Sequence, residues 1–380
     1  MSTEKILPHL FRTEFSKITA VLCRLFGLPN IELAEDIVSD TFLLATETWG
    51  LKGLPENPTA WLYTVAKNKT KDYLKRHTLF TDKITSELLR NDEYSYESEL
   101  DLSPKSISDS QLQMLFAICH PTLARESQIA LALRILCGFG IDEIADAFLT
   151  NKQTVNKRLF RAKEKLRDER ISIEYPPEHE VKNRLDSVLL TLYLLFNEGY
   201  YSASTNNNLR RDFCVEAMRL TYMLTNNSGT NNPKTKALLS LMCFHSSRFD
   251  ARLDQKGEFV LYGEQDTSLW DVQLIEQGEF FLNEGARGNE YSKYHLEAAI
   301  AYWHTRKIES AEKWENILRL YNHLLQIEYS PIIALNRTYA LSMANGKEEA
   351  IREAEKINMT GNHLYYSLLG NLYTNLDDIS

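Results

Sequence analysis

An all-α fold spread over more than one domain is predicted by three observations. Apolar residues recur at three- and four-residue steps through most of the chain. Strand-like alternation is confined to GEFVLYG at 257–263, read as a short hairpin. A length of 380 residues exceeds one ordinary domain, and 43% hydrophobic against 25% charged residues is enough apolar material for packed cores.

The first helix spans Leu10 to Phe26 and stops at Gly27-Leu28-Pro29. A second follows in IELAEDIVSDTFLLATETWG, with Leu33, Ile37, Val38, Thr41, Phe42, Leu44 and Ala45 on one face, Glu35, Asp36 and Asp40 on the other, and Gly50 as its stop. That acidic face reads equally as a solvated surface. After a Gly/Pro loop at 50–58, TAWLYTVAKNKTKDYLKRH forms a third helix in which Lys67, Lys69, Lys71, Lys75 and Arg76 face one acid, Asp72. Trp61, Tyr63 and Tyr73 are interleaved with those bases. Cations neutralise phosphate and rings stack on unpaired bases, so the pattern fits single-stranded nucleic acid, although core packing explains Trp61 as well.

Residues 81–109 carry eight acids against Lys83, Arg90 and Lys105 and read as a flexible acidic linker. Two apolar-faced helices from Leu112 lead into GIDEIADAFLTNKQTVNKRLFRAKEKLRDER at 140–170. Its first half buries Ile141, Ile144, Ala145, Phe148 and Leu149; the chain breaks at Thr150-Asn151, with Asn151 as N-cap; and Val155, Leu159, Ala162 and Leu166 line the second helix. Eight bases surround that stripe against three acids. This is a helix-turn-helix, and in its usual docking the early residues of the second helix, Thr154, Asn156, Lys157, Arg158 and Arg161, reach base edges.

A net charge of −9 restricts nucleic-acid contact to such local patches. Five dispersed cysteines without a CxxC pair predict free buried thiols in a reducing compartment. Cys119-His120 has no second pair at ligand spacing, so no metal is expected, and no GxxxxGK[ST] loop points to a nucleotide cofactor. The start lacks a leader's apolar core and no run of about 18 apolar residues occurs, so a cytoplasmic protein without a membrane partner is expected.

The order AEDIVSDTFLLATETW, loop, PTAWLYTVAKNKTKDYLKR, acidic spacer, helix-turn-helix resembles the bacterial extracytoplasmic-function (ECF) sigma factors. That resemblance implies core RNA polymerase and promoter DNA as partners. It places polymerase binding at Asp36, Asp40 and Phe42, with Ser39 departing from the family's common Gln. It places minus-ten capture at Asn68, Lys69, Asp72, Lys75 and Arg76, and minus-thirty-five reading on the helix-turn-helix. The implied domains are 1–80, 81–109 as linker, 110–175, and an extension over 176–380 that opens at Pro176-Pro177.

The extension reads as successive amphipathic helices at about 181–196, 211–225, 234–248, 268–286, 291–304, 312–326, 331–344, 347–357 and 363–374, with degenerate spacing similar to tetratricopeptide repeats and a last repeat lacking its second helix. LYLLFNEGYYSAS at 192–204 and GEQDTSLWD at 263–271 resemble signatures of ECF group 42. Asn197, Glu198, Gly199, Tyr200, Asp266, Trp270 and Asp271 are expected near an interface between the extension and residues 1–175, where a regulator or ligand could also act. Glu198, Asp266 and Asp271 lack an accompanying nucleophile and read as caps, so no catalytic residues are expected. Two rivals stay open: a helix-turn-helix regulator with a repeat-type sensor, and an enzyme housed in the extension.

Overall fold

The computed structural model describes residues 3–85, 100–201, 207–254, 258, 260–288, 291–357, 359 and 361–374, and these form sixteen α-helices. The chain divides into two compact units, Met1–Ala217 and Met218–Ser380.

In the first unit, α1 (Thr3–Phe26), α2 (Ile31–Lys52) and α3 (Pro58–Thr85) pack around Phe15, Ile18, Leu22, Ile31, Val38, Trp49 and Leu62. Edge-to-face pairs Phe11–Phe42 at 5.0 Å and Trp49–Trp61 at 5.3 Å close the two ends of this core. Gly50 does not stop α2 as expected. The helix continues to Lys52 and ends at Gly53, whose φ of +80° suits a residue without Cβ and whose N–H caps Trp49 O at 3.1 Å.

The next four helices, α4 (Pro104–Ile118), α5 (Arg125–Leu131), α6 (Ile141–Ala147) and α7 (Lys152–Asp168), share a second apolar core, with a turn of π-helix over Ala132–Leu136. The interval read as linker is therefore helical at both ends. Residues 81–85 complete α3 and Pro104 opens α4, capped by Ser103, while residues 86–99 lie outside the described residues. At Gly138, φ is +72° and a Cβ would stand 3.2 Å from Arg12 O, so a glycine lets this loop close on α1.

Pro176-Pro177 does interrupt the helices, but the first unit continues through α8 (Glu178–Tyr201) and into α9 (Asn207–Thr225). Polar contacts join α8 to α4 and α5. Arg125 Nη1 donates to Ser187 Oγ at 2.9 Å, Thr191 Oγ1 to Gln128 Oε1 at 2.8 Å, and Arg184 Nη2 to Phe116 O at 2.8 Å. Gln128 is fully buried, and its amide also donates to His120 O and Leu123 O. On α9, Phe213 packs edge-to-face on Phe139 at 4.5 Å.

The second unit continues with α10 (Pro233–Ser246), α11 (Val272–Gly285), α12 (Lys293–Thr305), α13 (Ala311–Ile327), α14 (Pro331–Asn345), α15 (Lys347–Ala354) and α16 (His363–Thr374). Their cores follow chain order, one centred on Trp314, Ile317 and Ala340 and the next on Leu341, Ala350, Ile351 and Leu372. Two sequence expectations shift here. The helix expected from 268 starts at Val272, because Asp266 caps a 3-10 turn over Thr267–Leu269 and Asp271 then caps α11 through Leu274 N–H at 3.0 Å. Of the hairpin at 257–263, Gly257 and Phe259 lie outside the described residues. Around them Asp254 N–H donates to Glu258 O at 2.9 Å and Val260 N–H to Arg252 O at 2.8 Å, Tyr262–Glu264 form a 3-10 turn, and the described residues form no pair of strands. All five cysteines are buried and free, as their spacing predicts.

The buried amide between α5 and α8 gives a direct test. Gln128→Leu leaves Leu123 O and the Arg125 guanidinium short of partners and should cost about 2 kcal/mol in urea unfolding. A change below about 0.5 kcal/mol, the range of ordinary surface substitutions, would show that α8 is held there by apolar packing alone.

Candidate nucleic-acid interface

The basic helix α7 starts where its cap predicts. Asn151 Oδ1 accepts from the N–H and the hydroxyl of Thr154 at 2.9 and 3.0 Å. Its stripe of Val155, Leu159, Ala162 and Leu166 is buried. The break comes earlier than the sequence reading placed it. α6 ends at Ala147, and Leu149, expected in the core, takes φ +48° and is 70% exposed, with Thr150 N–H reaching back to Ala145 O at 2.9 Å. A left-handed residue at this point closes the helix and turns its own side chain outward.

On the outer face of α7, Thr154, Asn156, Lys157 and Arg161 are exposed, and Arg158 lies over the Phe148 ring at 5.3 Å. Phe160, 60% exposed between these bases, was not singled out by the sequence. An aromatic residue inside an apolar-looking window gives no sign of its face until the register of the helix is fixed.

The inner flank of α7 behaves differently. Lys163 Nζ binds Glu35 Oε2 at 2.7 Å and Glu32 Oε1 at 3.4 Å, and Arg167 reaches Pro29 O at 3.1 Å and Glu32 at 3.6 Å. Arg134, from the π-helical turn, binds the other oxygen of Glu35 at 2.9 Å. Glu35, expected on a solvated face, is buried. The sequence signal was its spacing, since Ile31, Ala34, Glu35, Val38 and Phe42 form one stripe at three- and four-residue steps. Beside it Cys23 is buried, and burial followed by the Glu35 charge pushes its thiol pKa up, which keeps it protonated.

On α3, Asn68, Asp72, Lys75 and Arg76 are exposed, and half-buried Lys69 pairs with Asp40 at 3.7 Å. The interleaved aromatics are engaged in packing. Trp61 meets Trp49, Tyr73 meets Phe26 at 5.8 Å, and Tyr63 donates to Glu14 Oε2 at 2.6 Å, with burial and Glu14 raising its phenol pKa. On α2, Asp36 and Asp40 are exposed, whereas Phe42 is 4% exposed. Phe42 lines an open groove of about 590 Å³ with Leu7, Phe11, Ser39, Leu43 and Thr46. The groove's rim carries Arg12, which binds Glu143 at 2.6 Å and Asp212.

The extension residues fall into both units. On α8, Gly199 and Tyr200 are buried and Asn197 and Glu198 half-buried, with burial raising the Glu198 pKa. Asp266 accepts from Ser268 N–H at 2.9 Å, Asp271 caps α11, and Trp270 is buried. Asp266 and Asp271 thus serve as caps. Among the described residues no cluster of His, Cys, Asp and Glu could hold a metal ion, and no helix is long and apolar enough to cross a membrane.

Residues 10–79 match sigma-70 region 2 and residues 116–166 match sigma-70, region 4. The chain belongs to the sigma-70 family. Sigma-70 regions 2 and 4 bind core RNA polymerase and promoter DNA, so α3 and α7 are elements of a transcription-initiation factor. Residues 184–286 match a family of unknown function, DUF6596, which begins inside α8 and therefore inside the first unit. An uncharacterized protein of Rhizobium meliloti (strain 1021) is 33% identical over 352 residues, covering 91% of this chain and 83% of its own. No solved structure matches the chain.

Within this sigma-70 chain, Glu35 joins region 2 to region 4. Glu35→Gln retains the shape but removes the charge that two cations share, and should cost about 3 kcal/mol of stability in urea unfolding. The same change frees Lys163 for phosphate, so affinity of the isolated protein for duplex DNA should rise in a fluorescence-anisotropy titration. Unchanged stability would mean the two cations find solvent or other acids equally well.

Proposed function

We propose that this chain is a sigma factor of the ECF type, belonging to the group with a long helical extension, and that the extension modulates promoter engagement. Only residues 80–115 separate the two sigma matches, less than a domain of about 50 residues, which supports the two-domain ECF arrangement. Residues 1–80 bind polymerase and the melted minus-ten strand, 81–109 link, 110–175 read the minus-thirty-five duplex, and 176–380 form the repeat-like extension. Asp36 and Asp40 meet basic polymerase surface. Phe42 acts from beneath, shaping the groove beside the exposed Leu43. Asn68, Lys69, Asp72, Lys75 and Arg76 hold the minus-ten strand, and Thr154, Asn156, Lys157, Arg158 and Arg161 read the upstream element. Such a factor works where polymerase is, in the cytoplasm.

The observation that carries modulation is the attachment of α8 and α9 to both sigma regions. Arg125, Gln128 and Phe116 of region 4 bond to α8, and Arg12 of region 2 is shared between Glu143 of region 4 and Asp212 of α9. Movement of region 4 away from region 2 must therefore disturb contacts with the first helices of the extension.

Gel filtration with purified core polymerase tests the reading. Co-elution and promoter-dependent transcripts are expected, whereas DNA binding without polymerase would favour an ordinary helix-turn-helix regulator. Asp36→Arg or Asp40→Arg should lower affinity for core enzyme with little change in thermal midpoint, because both carboxylates are exposed. Arg161→Ala should weaken transcription by roughly 1–3 kcal/mol of base-reading contact and leave core binding intact. Normal transcription from Arg161→Ala would remove that residue from the site.

A further inference from the structure

The second unit contains a buried guanidinium without a counter-ion. Arg248, at the end of α10, is 8% exposed; its Nε has no hydrogen-bond partner, and no carboxylate among the described residues lies within ion-pairing distance. Its guanidinium lies over the ring of Tyr262, 5.6 Å from Cζ. A cation over an aromatic face gains something, but far less than an ion pair, and a buried unpaired charge is among the costliest features a fold can carry.

Other unsatisfied groups gather around the same ring. Trp270, buried and stacked on Tyr262 at 6.4 Å, has an orphan indole N–H. His304 lies edge-on to Tyr262 at 5.0 Å, and its Nδ1 is also without a partner. Burial, then the charges of Arg248 and Lys313, lower the His304 pKa to about 3, so at neutral pH the ring is uncharged, and its tautomer with the proton on Nδ1 offers a donor there. Lys313 is 1% exposed and fully used, donating to Tyr262 Oη at 2.9 Å, Arg306 O at 2.9 Å and Glu309 Oε1 at 2.5 Å. Glu309 is in turn held by Trp314 Nε1 at 2.8 Å. Glu309 is thus engaged by Lys313, and Arg248 forms no ion pair with a described carboxylate.

We infer that Arg248, Trp270 and His304, arranged around Tyr262 beneath the 261–271 loop, form a binding site for a small ligand bearing an oxyanion, carboxylate or phosphate. Buried polar groups in native proteins are nearly always paired, so several orphans around one ring call for a missing partner. An oxyanion supplies what the cluster lacks: acceptor lone pairs for the guanidinium and ring N–H groups, and a negative charge opposite Arg248. The site lies wholly in the second unit and is independent of the polymerase reading, since its test reads binding and not transcription.

The test uses the full chain in a Hepes buffer, titrated with sodium phosphate or sodium acetate against sodium chloride at matched ionic strength. At least one anion should raise the thermal midpoint saturably, by about 2 °C or more, and change tryptophan fluorescence. A response to phosphate alone assigns a phosphate-bearing ligand, and one to acetate alone a carboxylate. Arg248→Met should abolish the response. Without anion its midpoint should equal or exceed that of the unsubstituted protein, because it removes an uncompensated charge. Trp270→Phe, which keeps the ring and loses the orphan N–H, should weaken anion binding several-fold and serves if Arg248→Met does not fold. No shift beyond the chloride control, or an equal shift in both variants, would overturn the site and leave ordered water as the partner of these groups.

Discussion

A single buried carboxylate ties the two sigma-70 regions of this protein together. Glu35 is buried on α2, and its two oxygens take one cation each, Arg134 from the π-helical turn and Lys163 from α7. Neither partner can be withdrawn cheaply, since a carboxylate out of water needs both charge and hydrogen bonds. The consequence is geometric. With Lys163 and Arg167 turned toward region 2, α7 is fixed about its own axis, and Asn156, Lys157, Arg161 and Phe160 are left on the outer face. One helix therefore divides its positive charge between an internal fastening and an external surface.

A second fastening brings in the extension. Arg12 stands over Phe139 at 5.0 Å while binding Glu143 and Asp212, so its guanidinium joins α1, the first helix of the helix-turn-helix and α9. These groups are only partly buried, and the ion pairs are correspondingly weaker than those of Glu35. The more buried connection is α8 on α4 and α5, where Thr191 Oγ1 donates to the fully buried Gln128 amide. Sigma region 4 and the start of the DUF6596 segment are in this sense one piece of structure. The family boundaries at 166 and 184 fall within it rather than around it.

The second unit is built by a different rule. Its helices follow one another, and the cores around Trp314 and around Leu341 follow in chain order. Against that background the Tyr262 cluster stands apart, because its members come from α10, the 261–271 loop, α12 and α13. Polar groups drawn from separate elements into one place, and left partly unsatisfied, are poorly explained by the packing of successive helices alone.

The sequence by itself determined most of the helices, the cap of α7 and the two sigma-70 regions. Period, Asn151 before Thr154, and Asp271 before Leu274 are local effects, decided within a turn or two by backbone N–H groups that need acceptors. It also showed which bases lie on α3 and α7, because charge and spacing are visible in one dimension. What it could not decide were the meanings of residues whose partners are far along the chain. Glu35 looked like solvent-facing acid until Arg134 and Lys163 were brought to it, and Leu149 looked like core until a left-handed turn sent it outward. Arg248 carries no distinguishing signal in the sequence. Its burial without a counter-ion exists only in the folded second unit, where desolvation, a long-range property of packing, sets the cost of its charge.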